Sequence, residues 1–209
     1  MIPYIEWTTF QLGPLTIYVW GLFVALGFLL AGAVAGCKIK KEGGDPRVIY
    51  DLTFWMLVTG IVGGRLGYIV FYAPLDIWRN PLDLLRVWDG GLSLFGGLFL
   101  SVAAGLWYLK RRKVDVWKYA GAAIFGLPVG LWIGRIGCFL IHDHPGTATD
   151  FVLGVEYPDG VTRHDHGLYL SINGFLMFLA FLWMQRKKVR PEMYIGVFAV
   201  WYGVVRFFF

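Results

Sequence analysis

Six apolar runs, most of them as long as a bilayer is thick, constrain this chain more than any other feature. Leu15–Cys37 carries no charge over 23 residues, and Gly90–Leu109 and Gly167–Gln185 are also uncharged. Leu52–Pro74, Tyr119–Ile141 and Met193–Phe209 carry one charge each: Arg65, Arg135 and Arg206. A spanning helix needs about 20 predominantly apolar residues, and lipid offers an open backbone no hydrogen-bond partner. Each run is therefore expected to be a transmembrane helix. The first is too long and too rich in glycine to be a cleavable leader and reads as a retained span.

Composition supports the same class. Of 209 residues, 57% are hydrophobic and only 16% charged, against about 25% charged in soluble domains. That excludes a disordered chain, a coiled coil and a soluble globular domain. The isoelectric point near 9.2 does not indicate a nucleic-acid binder, because the basic residues sit in short clusters between apolar runs. Three of these clusters, Lys38–Arg47, Lys110–Lys118 and Arg186–Arg190, hold 13 of the 19 Lys and Arg residues. They follow spans 1, 3 and 5, so they share one side, which the positive-inside rule makes cytoplasmic. The expected fold is an all-α polytopic membrane protein of about six transmembrane helices with its N-terminus outside. It forms a single integral-membrane domain over 1–209, with an amphipathic outer arm at 75–89 and an outer loop at 142–166. The last apolar run has no closing polar flank, so the chain reads as truncated, with room for a seventh span. Cys37 and Cys138 fall at opposite membrane faces, too far apart for a disulfide.

The intramembrane arginines carry the functional signal. Arg65, Arg135 and Arg206 each lie late in a span that runs outward, so all three are expected at one depth in the outer leaflet. An arginine at the centre of a span costs at least about 2.5–3.5 kcal/mol and must be compensated. One could snorkel to the headgroups; three at one depth suggest a shared site. A guanidinium grips phosphate with a planar fork, which points to an anionic phospholipid. Helical spacing puts Tyr68 and Tyr72 on the face of Arg65. It puts Cys138, Phe139 and His142 on that of Arg135, provided the helix runs that far. The four histidines form two outer triplets, His142-Asp143-His144 and His164-Asp165-His166. Surface or structural roles rank first for them, proton transfer next and metal ligation last. Glycines at small-xxx-small spacing (Gly60 and Gly64, Gly63 and Gly67, Gly126 with Gly130 and Gly134, Gly97 with Ser101 and Gly105) read as helix-packing positions.

Five fragments, in order, resemble the prolipoprotein diacylglyceryl transferase family: GGRLGYIVFY (63–72), NPLDLLRVWDGGLSLFGGL (80–98), GRIGCF (134–139), RHDHGLY (163–169) and GVFAVWYGVVRF (196–207). The resemblance implies an enzyme of the bacterial cytoplasmic (inner) membrane with its active site facing outward. Such an enzyme takes diacylglyceryl from phosphatidylglycerol and transfers it to the lipobox cysteine thiol of a preprolipoprotein. The product is a thioether, and glycerol phosphate leaves. The implied partners are phosphatidylglycerol, the lipobox of the signal peptide and membrane lipid, with no nucleic acid and no cofactor. By position, Arg135 and Arg206 match the family arginines at the phospholipid headgroup, and Arg65 matches a third. Substrate contact is expected from Arg65, Tyr68, Gly90, Gly91, Ser93, Arg135, Arg163, His164 and Tyr169. The sequence departs from the family pattern at several positions. Phe95 stands where the family has His, Cys138 where it has Asn, His142-Asp143 where it has Gly-Glu, Trp20 where it has Tyr, and Asp165 where it has Pro. Proton transfer is therefore expected from His142 or His144, alongside Arg135 and Arg206 as catalytic residues. Three other readings are a metal-dependent enzyme acting on another headgroup through the two His-Asp-His pairs, a non-enzymatic anion or lipid transporter, and an inactive lipid-binding paralogue.

Overall fold

A computed structural model describes residues 1–72 and 91–208. Among these, six helices carry the fold: α1 (Val19–Lys41), α2 (Pro46–Tyr72), α3 (Leu94–Arg111), α4 (Val116–Ile141), α5 (His166–Arg186) and α6 (Pro191–Phe208). They match the six apolar runs. Four of them, α1, α2, α4 and α5, are long and apolar enough to cross a membrane; α3 and α6 have 18 residues each. The protein is an all-α polytopic membrane protein. Large apolar side chains such as Leu29, Phe54, Phe99 and Val200 point outward, as a lipid-facing surface requires. The arm expected at 75–89, and Gly90, lie outside the described residues.

The three basic loops meet at one end of the bundle. Lys118 Nζ donates to the Glu42 carbonyl at 2.7 Å, and the Asp45 N–H donates to the Tyr119 hydroxyl at 2.9 Å. Lys38 is buried there. It pairs with Glu42 at 2.7 Å and lies 4.8 and 4.5 Å from the ring centres of Phe125 and Tyr194. The best-packed core is at this same end: Ile39, Ile49, Leu109 and Ala122 in one cluster, Phe125, Phe181 and Tyr194 in another.

Glycine sets the helix spacing. A Cβ at Gly63 would lie 2.6 Å from the Gly96 carbonyl, one at Gly67 2.8 Å from Gly96 Cα, and one at Gly27 2.8 Å from the Gly130 carbonyl. The expected small-residue pairs therefore pack α2 on α3 and α1 on α4.

The opposite end carries short strands that hydropathy did not anticipate. Residues Leu15–Tyr18, expected to open the first span, instead form β3. It pairs antiparallel with β2 (Thr9–Leu12) around Gly13 and Pro14. The Gly-Pro pair turns the chain (Gly13 φ +63°), and alternating LTIY favours an extended strand. A second sheet joins β1 (Ile2–Pro3), β5 (Val155–Glu156), β6 (Thr162–Asp165) and β4 (Pro145–Ala148), in that order.

Candidate active site

Toward the sheet end, α1 and α4 part to form a cleft of about 490 Å³. Where Gly27 meets Gly130 the helices nearly touch. Beyond that point a Cβ on Gly134 would meet nothing within 4 Å. The walls are apolar (Trp20, Val24 and Phe28 from α1, Leu127 and Leu131 from α4), while Arg135, Cys138, Asp143 and His144 form the polar end. Arg135 Nη1 points at Cys138 Sγ, 3.7 Å away on the next turn. His144 Nδ1 pairs with Asp143 Oδ1 at 2.5 Å, with both side chains solvent-accessible. The cleft thus offers a greasy slot, a cation at its upper end, and a thiol, a carboxylate and an imidazole beside that cation.

His142 is elsewhere. α4 stops at Ile141, and His142 turns left-handed at φ 49°, ψ 40°. The seven-residue face that would have carried it to Arg135 ends before reaching it. The ring is buried instead. Nδ1 lies 2.7 Å from Asp165 Oδ2, Tyr4 stacks on it at 4.3 Å, and Tyr157 and Phe139 meet it edge-on. Asp165 also accepts from the Tyr157 hydroxyl at 3.1 Å and, as N-cap of α5, from Leu168 N–H at 3.0 Å. Burial, and next the Asp165 charge, push the Tyr157 hydroxyl well above its usual pKa. His142 thus ties the end of α4 to β6 and α5, and it is not among the residues that line the cleft with Arg135. The two His-Asp-His triplets do adjoin, with His166 N–H donating to the His144 carbonyl at 3.2 Å. Across the triplets the His142 ring pairs with Asp165, while His144 pairs with Asp143 and His164 with Tyr169.

The other expected residues form two groups. Arg65, buried in α2, donates from Nη1 to the Gly91 carbonyl at 3.3 Å and lies 5.9 Å over the Tyr68 ring. Gly91 has φ +71°, and a Cβ there would meet that same ring at 2.7 Å. Ser93 caps α3 through the Gly96 N–H, and its own N–H donates to the Gly64 carbonyl at 2.8 Å. At the sheet, Arg163 pairs with Asp159 at 2.6 Å and covers the Tyr157 ring. Its hydrogen bond holds the Asp159 carboxyl down at a pKa of about 2. His164 Nδ1 lies 2.7 Å from the Tyr169 hydroxyl. Arg206 is exposed near the end of α6. Arg65, Arg135 and Arg206 fall in the later halves of α2, α4 and α6, the three helices that start from the basic-loop end. Among the described residues, however, only Arg135 lines the α1/α4 cleft.

The family model for prolipoprotein diacylglyceryl transferase matches residues 8–209. The chain belongs to the prolipoprotein diacylglyceryl transferase family. It is 36% identical over 211 residues to a phosphatidylglycerol–prolipoprotein diacylglyceryl transferase of Pseudoalteromonas atlantica, covering 99% of this chain and 75% of that protein. Proteins of the same name from Solidesulfovibrio magneticus (38%; 94% of this chain, 77% of that protein) and Pseudomonas entomophila (34%; 99% and 81%) are similarly close.

Within this diacylglyceryl transferase fold, Cys138 lies beside Arg135 as the helical spacing required. Trp20 and Asp143 were not singled out as site residues. Trp20 lies in the first turn of α1, inside an apolar run where only its place at a family Tyr distinguished it. Asp143 reaches the cleft only because His142 reverses the chain. That reversal left a trace in the sequence only as a polar triplet at the end of an apolar run.

Proposed function

We propose that this chain transfers diacylglyceryl from phosphatidylglycerol to the lipobox cysteine thiol of lipoprotein precursors, and does so in the α1/α4 cleft. The observation that carries the reading is Arg135 at the polar end of an apolar slot open to lipid. Acyl chains suit the walls of Trp20, Val24, Phe28, Leu127 and Leu131, and the phosphate suits the guanidinium. As the glyceryl C–O bond breaks, charge collects on the departing glycerol phosphate, where a fixed guanidinium stabilises it most. The acceptor thiol has to give up its proton to attack. His144, held by Asp143, faces the cleft and is the side chain placed to take that proton. Arg65 with Tyr68, Gly91 and Ser93 braces the α2/α3 pair. Arg163, His164 and Tyr169 form the outer rim that an arriving precursor would meet. Arg206 adds positive charge to the same membrane face, which is the outer face of the bacterial inner membrane, with 1–209 as one domain.

The test is transfer by the purified chain in detergent, given phosphatidylglycerol and a lipobox peptide, with the peptide mass as readout. The expected result is a diacylglyceryl adduct with glycerol phosphate released, both lost in Arg135→Ala. Bound phosphatidylglycerol without an adduct would instead indicate an inactive lipid-binding paralogue.

A further inference from the structure

The polar end of the cleft has the donors to hold a metal ion in place of a free histidine base. Cys138, Asp143 and His144 each offer one ligand atom, and these atoms lie within 4.8 Å of one another. We propose that they form a three-ligand site for a divalent transition metal of the zinc class, whose open fourth position takes the cysteine thiol of the acceptor. The identity of that acceptor rests on the transferase reading; the metal site itself does not.

The donor set chooses the metal. A thiolate and an imidazole favour zinc-like ions over magnesium or calcium, and three protein ligands leave the open position that reactive zinc sites keep. Bond lengths of about 2.0–2.3 Å put neighbouring tetrahedral donors about 3.5 Å apart. The Asp143–His144 contact at 2.5 Å must therefore open while the group, spread over at most 4.8 Å, draws in around the ion. The chain makes that closure short-range. Cys138 is fixed on α4, while Asp143 and His144 are exposed side chains that would exchange their mutual 2.5 Å contact for the ion. Their backbone is not free, because the buried His142 ring is tied to Asp165 and the His144 carbonyl accepts from His166 N–H. Charge also balances. The thiolate and the carboxylate neutralise the dication, and Arg135, 3.7 Å from Cys138 Sγ, offsets the anionic charge that a fourth, substrate thiolate would add.

The chemistry follows from the ligand position. A thiol bound to such an ion loses its proton to water and stays nucleophilic. The thiolate sulfur attacks the glyceryl carbon of the phospholipid, the C–S bond forms and the C–O bond to phosphate breaks. Glycerol phosphate then carries away the electron pair beside Arg135. No oxidant or reductant is required.

The test is titration of the metal-stripped, full-length protein with cobalt(II), read by thiolate-to-cobalt charge-transfer absorption in the near ultraviolet. One ion per chain is expected. The signal should be lost in Cys138→Ser and should need at least about tenfold more cobalt in His144→Ala. It should be unchanged in Cys37→Ser, whose thiol lies at the other end of α1. Circular dichroism of each variant separates misfolding from ligand loss. Transfer assayed in parallel should stop with chelator and return with zinc. No cobalt signal, together with transfer that ignores chelator yet needs His144, overturns the metal site and leaves the transferase and its histidine base standing. A Cys138-dependent signal without transfer under any condition upholds the metal site and removes the transferase reading.

Discussion

His142 and His144 are two residues apart and sit in opposite environments, one buried and one exposed. His142 is sealed in and shares Asp165 with the Tyr157 hydroxyl and the Leu168 N–H. Truncating Asp165 to Ala strands three donors, and the one that is fully buried, the His142 ring, alone costs about 1–3 kcal/mol when left without a partner. The thermal midpoint in detergent should fall steeply in Asp165→Ala. In His144→Ala it should stay within the change of about 0.5 kcal/mol typical of surface substitutions. Equal losses would mean that both histidines are structural. A second test at this scale concerns pH. Asp159 is held down to about 2 by its hydrogen bond from Arg163. A depressed acid stabilises the fold above its unfolded pKa, about 3.9, and that contribution is lost as pH falls toward 2. In Arg163→Gln the Asp159 carboxyl should titrate higher, closer to its ordinary value though still lowered by the Val161 N–H bond, as read by carboxyl-carbon NMR. An unmoved titration would show that the pair does not form.

At the scale of elements, the long helices were legible because lipid leaves an apolar run of that length few alternatives. The glycine pairs were legible because close backbone approach needs a missing side chain. The strands were not, since Leu15–Tyr18 is as apolar as the helix that follows it, and only the Gly13-Pro14 turn separates the two. The end of α4 was not legible either, because a left-handed residue after Ile141 breaks no hydropathy pattern. That one dihedral took His142 out of the expected site and brought Asp143 in. Two glycines one helical face apart test the packing account. A Cβ at Gly126 would collide with the Ala31 carbonyl, whereas one at Gly134 meets open cleft. Gly126→Leu should destabilise the protein or prevent its accumulation. Gly134→Leu should fold with a near-normal midpoint yet lose phosphatidylglycerol binding, measured by lipid retention after purification. Normal lipid retention in Gly134→Leu would place the lipid elsewhere.

For the molecule as a whole, the two ends are chemically distinct. One gathers the basic loops over the tightest core. The other carries the sheets, the intramembrane arginines and the cleft. By the positive-inside rule the first end is the one expected in the cytoplasm. In a Cys37→Ser background, Asp159→Cys should react with a membrane-impermeant maleimide on intact cells, and Lys188→Cys should react only after lysis. The reverse pattern would invert the topology and with it the side on which precursors are met. The central claim is that donor lipid sits between α1 and α4 with its phosphate at Arg135. The most direct measurement is photo-crosslinking with a phosphatidylglycerol that carries its reactive group in one acyl chain, mapped by peptide mass spectrometry. The expected result is labelling on the Trp20–Ala31 and Leu127–Cys138 stretches that falls sharply in Arg135→Ala. Labelling confined to α2 and α3 around Arg65, and indifferent to Arg135, would contradict it.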